Sequence, residues 1–194
     1  MWIPTIESES CQGIREIPVQ TRLLGKRKIF LNGSIDSEKA GEIVMLLMHL
    51  AGESQDPIDI YINSPGGEVN SGLLIYDAIQ SIESPVNMYC TGMAASMAAV
   101  ILAGGQKGRR FILPHSKTMI HEPLISGGVG GSATSIKSIS DSILETRRIT
   151  NGILAKHTGK SVEEIDEVTA HDHYMNAAES VEFGICDEVR EKFF

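Results

Sequence analysis

The stretch that decides the fold is residues 58–67, IDIYINSPGG, in which a strand leads directly into a glycine turn. Its first five residues alternate and are rich in β-branched side chains, which is typical of a β-strand. The segment Ser64-Pro65-Gly66-Gly67 is a turn signal, and residues 73–82 beyond it have the composition of a helix. Residues 58–82 therefore predict a strand, a tight turn and a helix in succession.

The same alternation continues on both sides of this stretch. Further strands are predicted at residues 29–31, 86–90, 110–113 and 118–120. Further helices are predicted over residues 94–103 and after Asp36 or Ser37, with the apolar face Ile43, Leu46, Leu47 and Leu50. Strands that alternate with helices at this spacing are joined by βαβ crossovers, so the sequence predicts an α/β fold with a largely parallel sheet.

The two ends of the chain differ from this central region. Residues 1–28 are polar and irregular, so we expect an extended or mobile arm there. The glycine-rich segment 126–131 precedes a helix predicted over about residues 133–157, then helices at 162–168 and 177–183 and a strand at 185–189. The long helix exceeds what a compact domain of this size needs, so we expect it to project and pack against another subunit.

Composition excludes several classes of protein. The 194 residues carry a net charge of −8, which argues against a nucleic-acid partner. No apolar run approaches the roughly 20 residues of a membrane span, and the start lacks the basic and apolar regions of a secretory signal. Cys11, Cys90 and Cys186 are widely spaced, which fits reduced thiols and gives neither a disulfide framework nor a metal site. These features predict a cytoplasmic protein without a metal or other cofactor.

Ser96 is the first candidate for chemistry. It lies in residues 92–99, GMAASMAA, where a strand runs through small residues into the first turn of a helix. A hydroxyl there faces a cleft, and free amides at the helix start, such as that of Met97, point toward developing negative charge. The alternative is that Ser96 only caps the helix, as most serines in such places do.

His121 and the amide of Gly67 are further candidates. His121 ends a predicted strand at the carboxyl edge, where α/β sheets place their chemistry, and a serine nucleophile needs a base of this kind. A lone histidine there is more often structural. The Gly67 amide is suited to hold an oxyanion, but a tight turn is the more common role of such glycines.

Asp172 is a candidate for the carboxylate that orients a catalytic histidine. Such a residue need not be near the histidine in sequence, so Asp166 and Asp187 compete with it and the pattern does not choose. His171 and His173 flank Asp172, but no third metal ligand has suitable spacing.

Several long motifs occur together in this chain. They are residues 61–67 (YINSPGG), 92–98 (GMAASMA), 119–124 (MIHEPL) and 157–159 (HTG), supported by residues 2–5, 22–24 and 184–187. In this order they resemble the family of Clp protease proteolytic subunits (ClpP) over nearly the whole chain. The resemblance implies a ClpP/crotonase-like α/β fold in a single domain. It would divide into an N-terminal arm (1–28), a head (29–125), a handle (126–158) and a C-terminal head segment (159–194).

The resemblance also implies roles for individual residues. Ser96 would be the nucleophile, His121 the general base and Asp172 the orienting carboxylate, with the amides of Gly67 and Met97 as the oxyanion hole. Substrate would bind as an added strand along two segments, formed by Gly66, Gly67, Glu68 and Val69 and by Pro123 and Leu124. Tyr61 falls where the family has an aromatic residue in the docking pocket for its ATPase partner.

The resemblance implies an assembly of two stacked heptameric rings, with or without a paralogue. An AAA+ unfoldase of the ClpX or ClpA/ClpC kind would feed it protein substrates. The chain has no GxxxxGK[ST] stretch, so any ATP-dependent step would belong to that partner. Two departures bear on ring contact: the glycine stretch is about two residues longer, and Ala170-His171 replace an acidic residue and an arginine.

Two other functions are compatible with the fold. One is an acyl-CoA hydratase or isomerase of the crotonase group, which shares an oxyanion hole but commonly uses carboxylates where this chain has Ser96 and His121. The other is a non-catalytic ring subunit, which would be expected to lack a triad residue.

Overall fold

The structure is a computed structural model that describes residues 4–10, 13–125 and 127–192. Four residues named above lie outside the described residues: Trp2 and Ile3 of the supporting stretch 2–5, Cys11, and Ser126 at the start of the glycine segment.

The N-terminal segment is extended, which is one of the two forms expected for the arm, but it also contains regular pairing that the sequence did not predict. Strands β1 (Thr5–Ser10) and β2 (Gly13–Pro18) pair antiparallel, and a short helix α1 (Val19–Leu24) follows. Most residues of β2 are exposed, so a lack of residues that could be buried did not exclude regular strands in this segment. The strands satisfy each other's backbone groups, and this pairing does not require a hydrophobic core.

The centre of the molecule is a seven-stranded sheet. Its strands are β3 (Lys28–Asn32), β4 (Ile58–Ser64), β5 (Val86–Ala95), β6 (Arg110–Ile112), β7 (Lys117–Ile120), β8 (His173–Met175) and β9 (Glu188–Val189). The order is β3-β4-β5-β6-β9, with β7 beside the second half of β5 and β8 beside β7. Every pair is parallel except β7 with β8, so the predicted α/β fold is confirmed.

Six further helices connect or follow these strands. They are α2 (Ser37–Glu53), α3 (Val69–Ser81), α4 (Met97–Ala103), α5 (Ala133–Thr158), α6 (Val162–Thr169) and α7 (Ala177–Phe183). Asp36 caps α2, because its carboxylate accepts a hydrogen bond from the Lys39 amide. Helix α3 begins four residues before the predicted start, since Val69 is the one apolar side chain in its first four residues and no hydrophobic period marks them. Among the described residues, no helix has both the length and the apolar character that crossing a bilayer requires.

Among the described residues, helix α5 is buried in its C-terminal part and exposed in its N-terminal part. At 26 residues it is about 39 Å long, and its buried residues are Thr150, Asn151 and Leu154. Residues 133–142 are all exposed. The helix therefore projects from the sheet, as its length predicted.

A buried ion pair fixes the end of α5 to the sheet. Arg110, only 3% exposed, pairs with Asp187 and donates to the carbonyl oxygens of Ala103, His157 and Gly184, at the ends of α4, α5 and α7. Partial burial alone would raise the pKa of Asp187, but the hydrogen bonds and charge of Arg110 hold that pKa below its ordinary value. Asp187 therefore has a structural partner and is not available to orient a histidine.

Candidate active site

Ser96 occupies a strained junction between a strand and a helix. Strand β5 continues through Ala95 because it pairs with β7 as far as Met119, and helix α4 starts only at Met97. The prediction of a helix from residue 94 is therefore wrong by three residues. Ser96 has φ 53° and ψ −124°, values that favour glycine. Such a conformation costs on the order of 1–3 kcal/mol and is found mainly at functional sites.

The hydroxyl of Ser96 bonds to a residue outside the helix that it precedes. It makes no capping hydrogen bond, so the capping interpretation is wrong. Its Oγ instead lies 2.9 Å from Nε2 of His121. A serine and a histidine at this distance can exchange a proton.

Asp172 completes the contact on the other side of His121. Its Oδ1 lies 3.0 Å from Nδ1 of His121. Strand β8 explains this proximity, because it pairs antiparallel with β7 and sets His173 opposite Ile120. One step beyond that pair, the register brings His121 and Asp172 face to face.

The two competing aspartates lie elsewhere. Asp166 accepts a hydrogen bond from Asn151, and Asp187 pairs with Arg110. The sequence pattern missed β8 because the strand is only three residues long. The pairing of β8 with β7 was therefore the evidence needed to choose Asp172 as the partner of His121.

The glycine turn after β4 packs directly against the Ser96 junction. Gly66 has φ 89°, and a Cβ built on it would lie 2.6 Å from the Ala95 carbonyl oxygen and 2.8 Å from Cβ of Ser96. A Cβ built on Gly67 would overlap the backbone of Ile35, with which Gly67 forms a parallel bridge. No residue with a side chain fits at either position without displacing backbone.

Two backbone amides beside Ser96, those of Gly67 and Met97, are not engaged in the backbone hydrogen bonds of the described residues. Met97 is the first residue of α4, so its N–H has no partner within the helix. In the part of the chain that the structure describes, neither this amide nor that of Gly67 donates a backbone hydrogen bond. A Cβ on Gly66 would lie 3.0 Å from the Met97 nitrogen, so the glycine turn and the helix start are adjacent.

A small apolar pocket opens beside Ser96. It is lined by Val69, Met97, Val100, Ile120, Pro123, Thr150 and Leu154, together with Ser96 and His121. A longer groove continues from it. One side of the groove is formed by Glu68, Val69, Pro123 and Leu124, and the other by Ser138, Ile139, Ser142, Ile143 and Thr146 of α5. Leu124 is 71% exposed, so the groove has an unfilled apolar surface beside the candidate nucleophile.

The described cysteines do not compete with Ser96. Both Cys90 and Cys186 are buried. Burial raises the pKa of the Cys90 thiol to about 11, and burial also raises that of Cys186. Neither thiol is ionised at neutral pH, so neither is a ready nucleophile.

Tyr61 does not line this groove and lies within a row of stacked aromatic rings. The sheet register aligns Phe30, Tyr61, Tyr89 and Phe111 on four adjacent strands, with ring centroids 5.0–5.2 Å apart. Arg190 closes the row, 3.6 Å from the centre of the Phe111 ring. Tyr61 itself is only 4% exposed, whereas Tyr89 and Arg190 line a surface cavity. The sequence analysis singled out Tyr61 alone. Aligning the predicted strands side by side would have indicated the row of four aromatic residues.

Fold and site together define a class of protein. A parallel sheet with βαβ crossovers, a projecting helix and a serine at a strained strand–helix junction is the arrangement of the ClpP/crotonase fold. A comparison with protein-family models agrees, since the model described as Clp protease matches residues 11–193. The chain therefore belongs to the Clp protease family, a family that consists in general of serine peptidases.

Proposed function

We propose that this chain is a serine endopeptidase, the proteolytic subunit of an ATP-dependent Clp protease, with Ser96, His121 and Asp172 as its triad. The observation that carries the proposal is the chain of hydrogen bonds from Ser96 through His121 to Asp172, at the mouth of an apolar pocket. Nucleophile, base and orienting carboxylate are each within hydrogen-bond distance of the next.

The geometry supports an acyl-enzyme mechanism. Ser96 attacks the scissile carbonyl carbon while Nε2 of His121 accepts its proton, and the amides of Gly67 and Met97 stabilise the resulting oxyanion. His121 then donates this proton to the leaving amine. Asp172 holds the ring so that Nδ1 keeps its own proton. Water hydrolyses the acyl-enzyme by the same sequence of proton transfers.

Substrate is proposed to bind as an extended strand in the groove. The segment Gly66, Gly67, Glu68 and Val69 would pair with one edge of its backbone, and Pro123 and Leu124 would flank the other. Main-chain pairing of this kind gives affinity with weak side-chain selectivity. The apolar lining of the groove, including Leu124 and Ile139, would favour an apolar side chain near the cleaved bond.

The assembly is proposed to be two stacked heptameric rings in the cytoplasm, with the active sites inside. The exposed part of α5 suits contact between rings, since Ile136, Ile139 and Leu144 are apolar and uncovered. The aromatic row around Tyr61 would support the cavity in which an AAA+ unfoldase docks. The rings are proposed to consist of this chain, with or without a paralogue.

The first test of this function compares two substrates. We expect the purified chain to hydrolyse short peptides slowly and to leave folded proteins intact, because an enclosed chamber admits only what can thread into it. Release of a fluorogenic group and gel analysis of a stable folded protein measure the two activities. Rapid digestion of the folded protein without an ATPase would contradict the enclosed chamber.

A second prediction concerns ring stacking. Ala170 and His171 are exposed and stand directly before Asp172. They cannot reproduce a bidentate arginine–carboxylate contact between facing subunits, so we expect the rings to stack weakly. Changing Ala170→Asp and His171→Arg together should shift the population toward double rings and raise peptidase activity.

Sedimentation velocity on the wild type, the two single variants and the double variant measures this shift. Each single change should have little effect, since one new charge lacks its partner. A wild type that is fully double-ringed at low concentration, with no gain in the double variant, would show that contacts along α5 suffice.

A further inference from the structure

A charged cluster joins α5 to the segments next to His121 and Asp172. At its centre is Arg147, whose Nε lies 3.3 Å from Oε2 of Glu122. Its Nη2 donates to the Asp166 carbonyl oxygen at 3.1 Å and lies 3.8 Å from the Asp166 carboxylate. Nε is buried and makes no hydrogen bond within the described residues, so the Glu122 carboxylate is what compensates its burial.

The two partners of Arg147 belong to the two segments that carry His121 and Asp172. Glu122 directly follows His121, and its amide donates to the Thr169 carbonyl oxygen at 2.8 Å. Thr169 ends α6, three residues before Asp172. The guanidinium of Arg147 therefore joins the segment after His121 to the helix that precedes Asp172.

A neighbouring residue of α5 strengthens the second of these connections. Asn151 is 1% exposed, and its Nδ2 donates to the Asp166 carboxylate at 2.5 Å and to Oγ1 of Thr169 at 3.1 Å. Thr150, which lies between Arg147 and Asn151 on α5, lines the apolar pocket beside Ser96. One turn of α5 thus contacts the pocket and both triad-bearing segments.

Asp172 requires such external positioning. Its side chain is 57% exposed, and its hydrogen bond to His121 is the one found for its carboxylate among the described residues. A side chain so exposed is not fixed by packing, so its position depends on the backbone of residues 169–173. That backbone is held by β8 on one side and by α6 on the other.

We propose that Arg147 is a positioning residue for the triad, which keeps His121 and Asp172 in register by bridging Glu122 and Asp166. This inference rests on the proposed function. The planar guanidinium suits the role, because it engages two acceptors in a fixed geometry. Misplacement of a reacting group by about 1 Å can cost on the order of 10²-fold in rate.

The test uses Arg147→Gln in the full chain, with Arg148→Gln as the matched control. Arg148 is the next residue of the helix and is 75% exposed, paired with Glu145. We expect Arg147→Gln to lower kcat for a short peptide by about 10²-fold with KM within threefold of wild type. Arg148→Gln should stay within twofold of wild type. Sedimentation velocity and thermal unfolding check that assembly and fold are retained.

A combined variant separates positioning from general destabilisation. In the background of Asp172→Asn, the effect of Arg147→Gln should largely disappear, since it acts through the carboxylate already removed. An unchanged 10²-fold effect in that background, or a kcat within twofold of wild type for the single variant, would overturn the proposal.

A milder variant keeps the test valid if Arg147→Gln does not fold. Glu122→Gln preserves the backbone bond to Thr169 and removes only the charge facing Arg147. We expect it to lower kcat several-fold without a change in assembly, and an unchanged kcat would count against the proposal. Failure of the proposed function is distinguishable, because Ser96→Ala would then remain active.

Discussion

Replacing Ser96 with alanine is expected to lower kcat for a short fluorogenic peptide by about 10⁶-fold. In the proposed mechanism Oγ of Ser96 is the hydroxyl that is hydrogen-bonded to Nε2 of His121, so its loss removes the nucleophile itself. Fold and assembly should be unaffected, because the hydroxyl makes no capping bond. Hydrolysis rates at saturating peptide, with far-UV circular dichroism and sedimentation velocity on the same preparation, measure the effect.

The control for this variant is Ser81→Ala. Ser81 is the exposed last residue of α3, and its hydroxyl donates to the Ala78 carbonyl oxygen within the same helix, so kcat should match wild type. Retention of more than a few per cent of activity by a clean Ser96→Ala preparation would remove Ser96 from the mechanism.

Replacing Asp172 with asparagine is expected to lower kcat by about 10⁴-fold, while KM changes little. An amide of nearly the same shape still reaches Nδ1 of His121, but it favours the wrong tautomer of the ring and does not stabilise the imidazolium. The loss should therefore fall on the chemical step. Steady-state kinetics at high enzyme concentration measure kcat and KM separately.

Asp141→Asn is the matched control for a carboxylate change. Asp141 lies on the exposed part of α5 and pairs with Lys137. Its kcat should remain within twofold of wild type. If Asp172→Asn were as active as this control, a different group would have to orient His121.

The central sheet could be predicted from the sequence because its signals are local. Alternating β-branched residues marked β4, and Asp36 marked the start of α2. The length of α5 likewise followed from a sustained apolar period. These features depend on neighbours in sequence, so a pattern suffices.

The assembled site depended on contacts that a pattern does not contain. Asp172 could not be separated from Asp166 and Asp187, since the choice rests on a three-residue strand and on the partners of the other two aspartates. The strained backbone of Ser96 was equally hidden, because serine has no intrinsic preference for a positive φ. The hairpin of β1 and β2 was missed for the opposite reason: its pairing is local, but it buries few side chains.

The most direct test of the central claim is reaction of the native full-length chain with a fluorophosphonate probe, followed by tandem mass spectrometry of its peptides. Such a probe forms a stable bond with a serine whose hydroxyl is activated by a base and faces an oxyanion hole. We predict one adduct per chain, located on Ser96, and a labelling rate that falls sharply in His121→Ala. An acyl-CoA hydratase or a non-catalytic ring subunit would not react. An unlabelled chain, or an adduct on another residue, would contradict the assignment of Ser96 as the nucleophile.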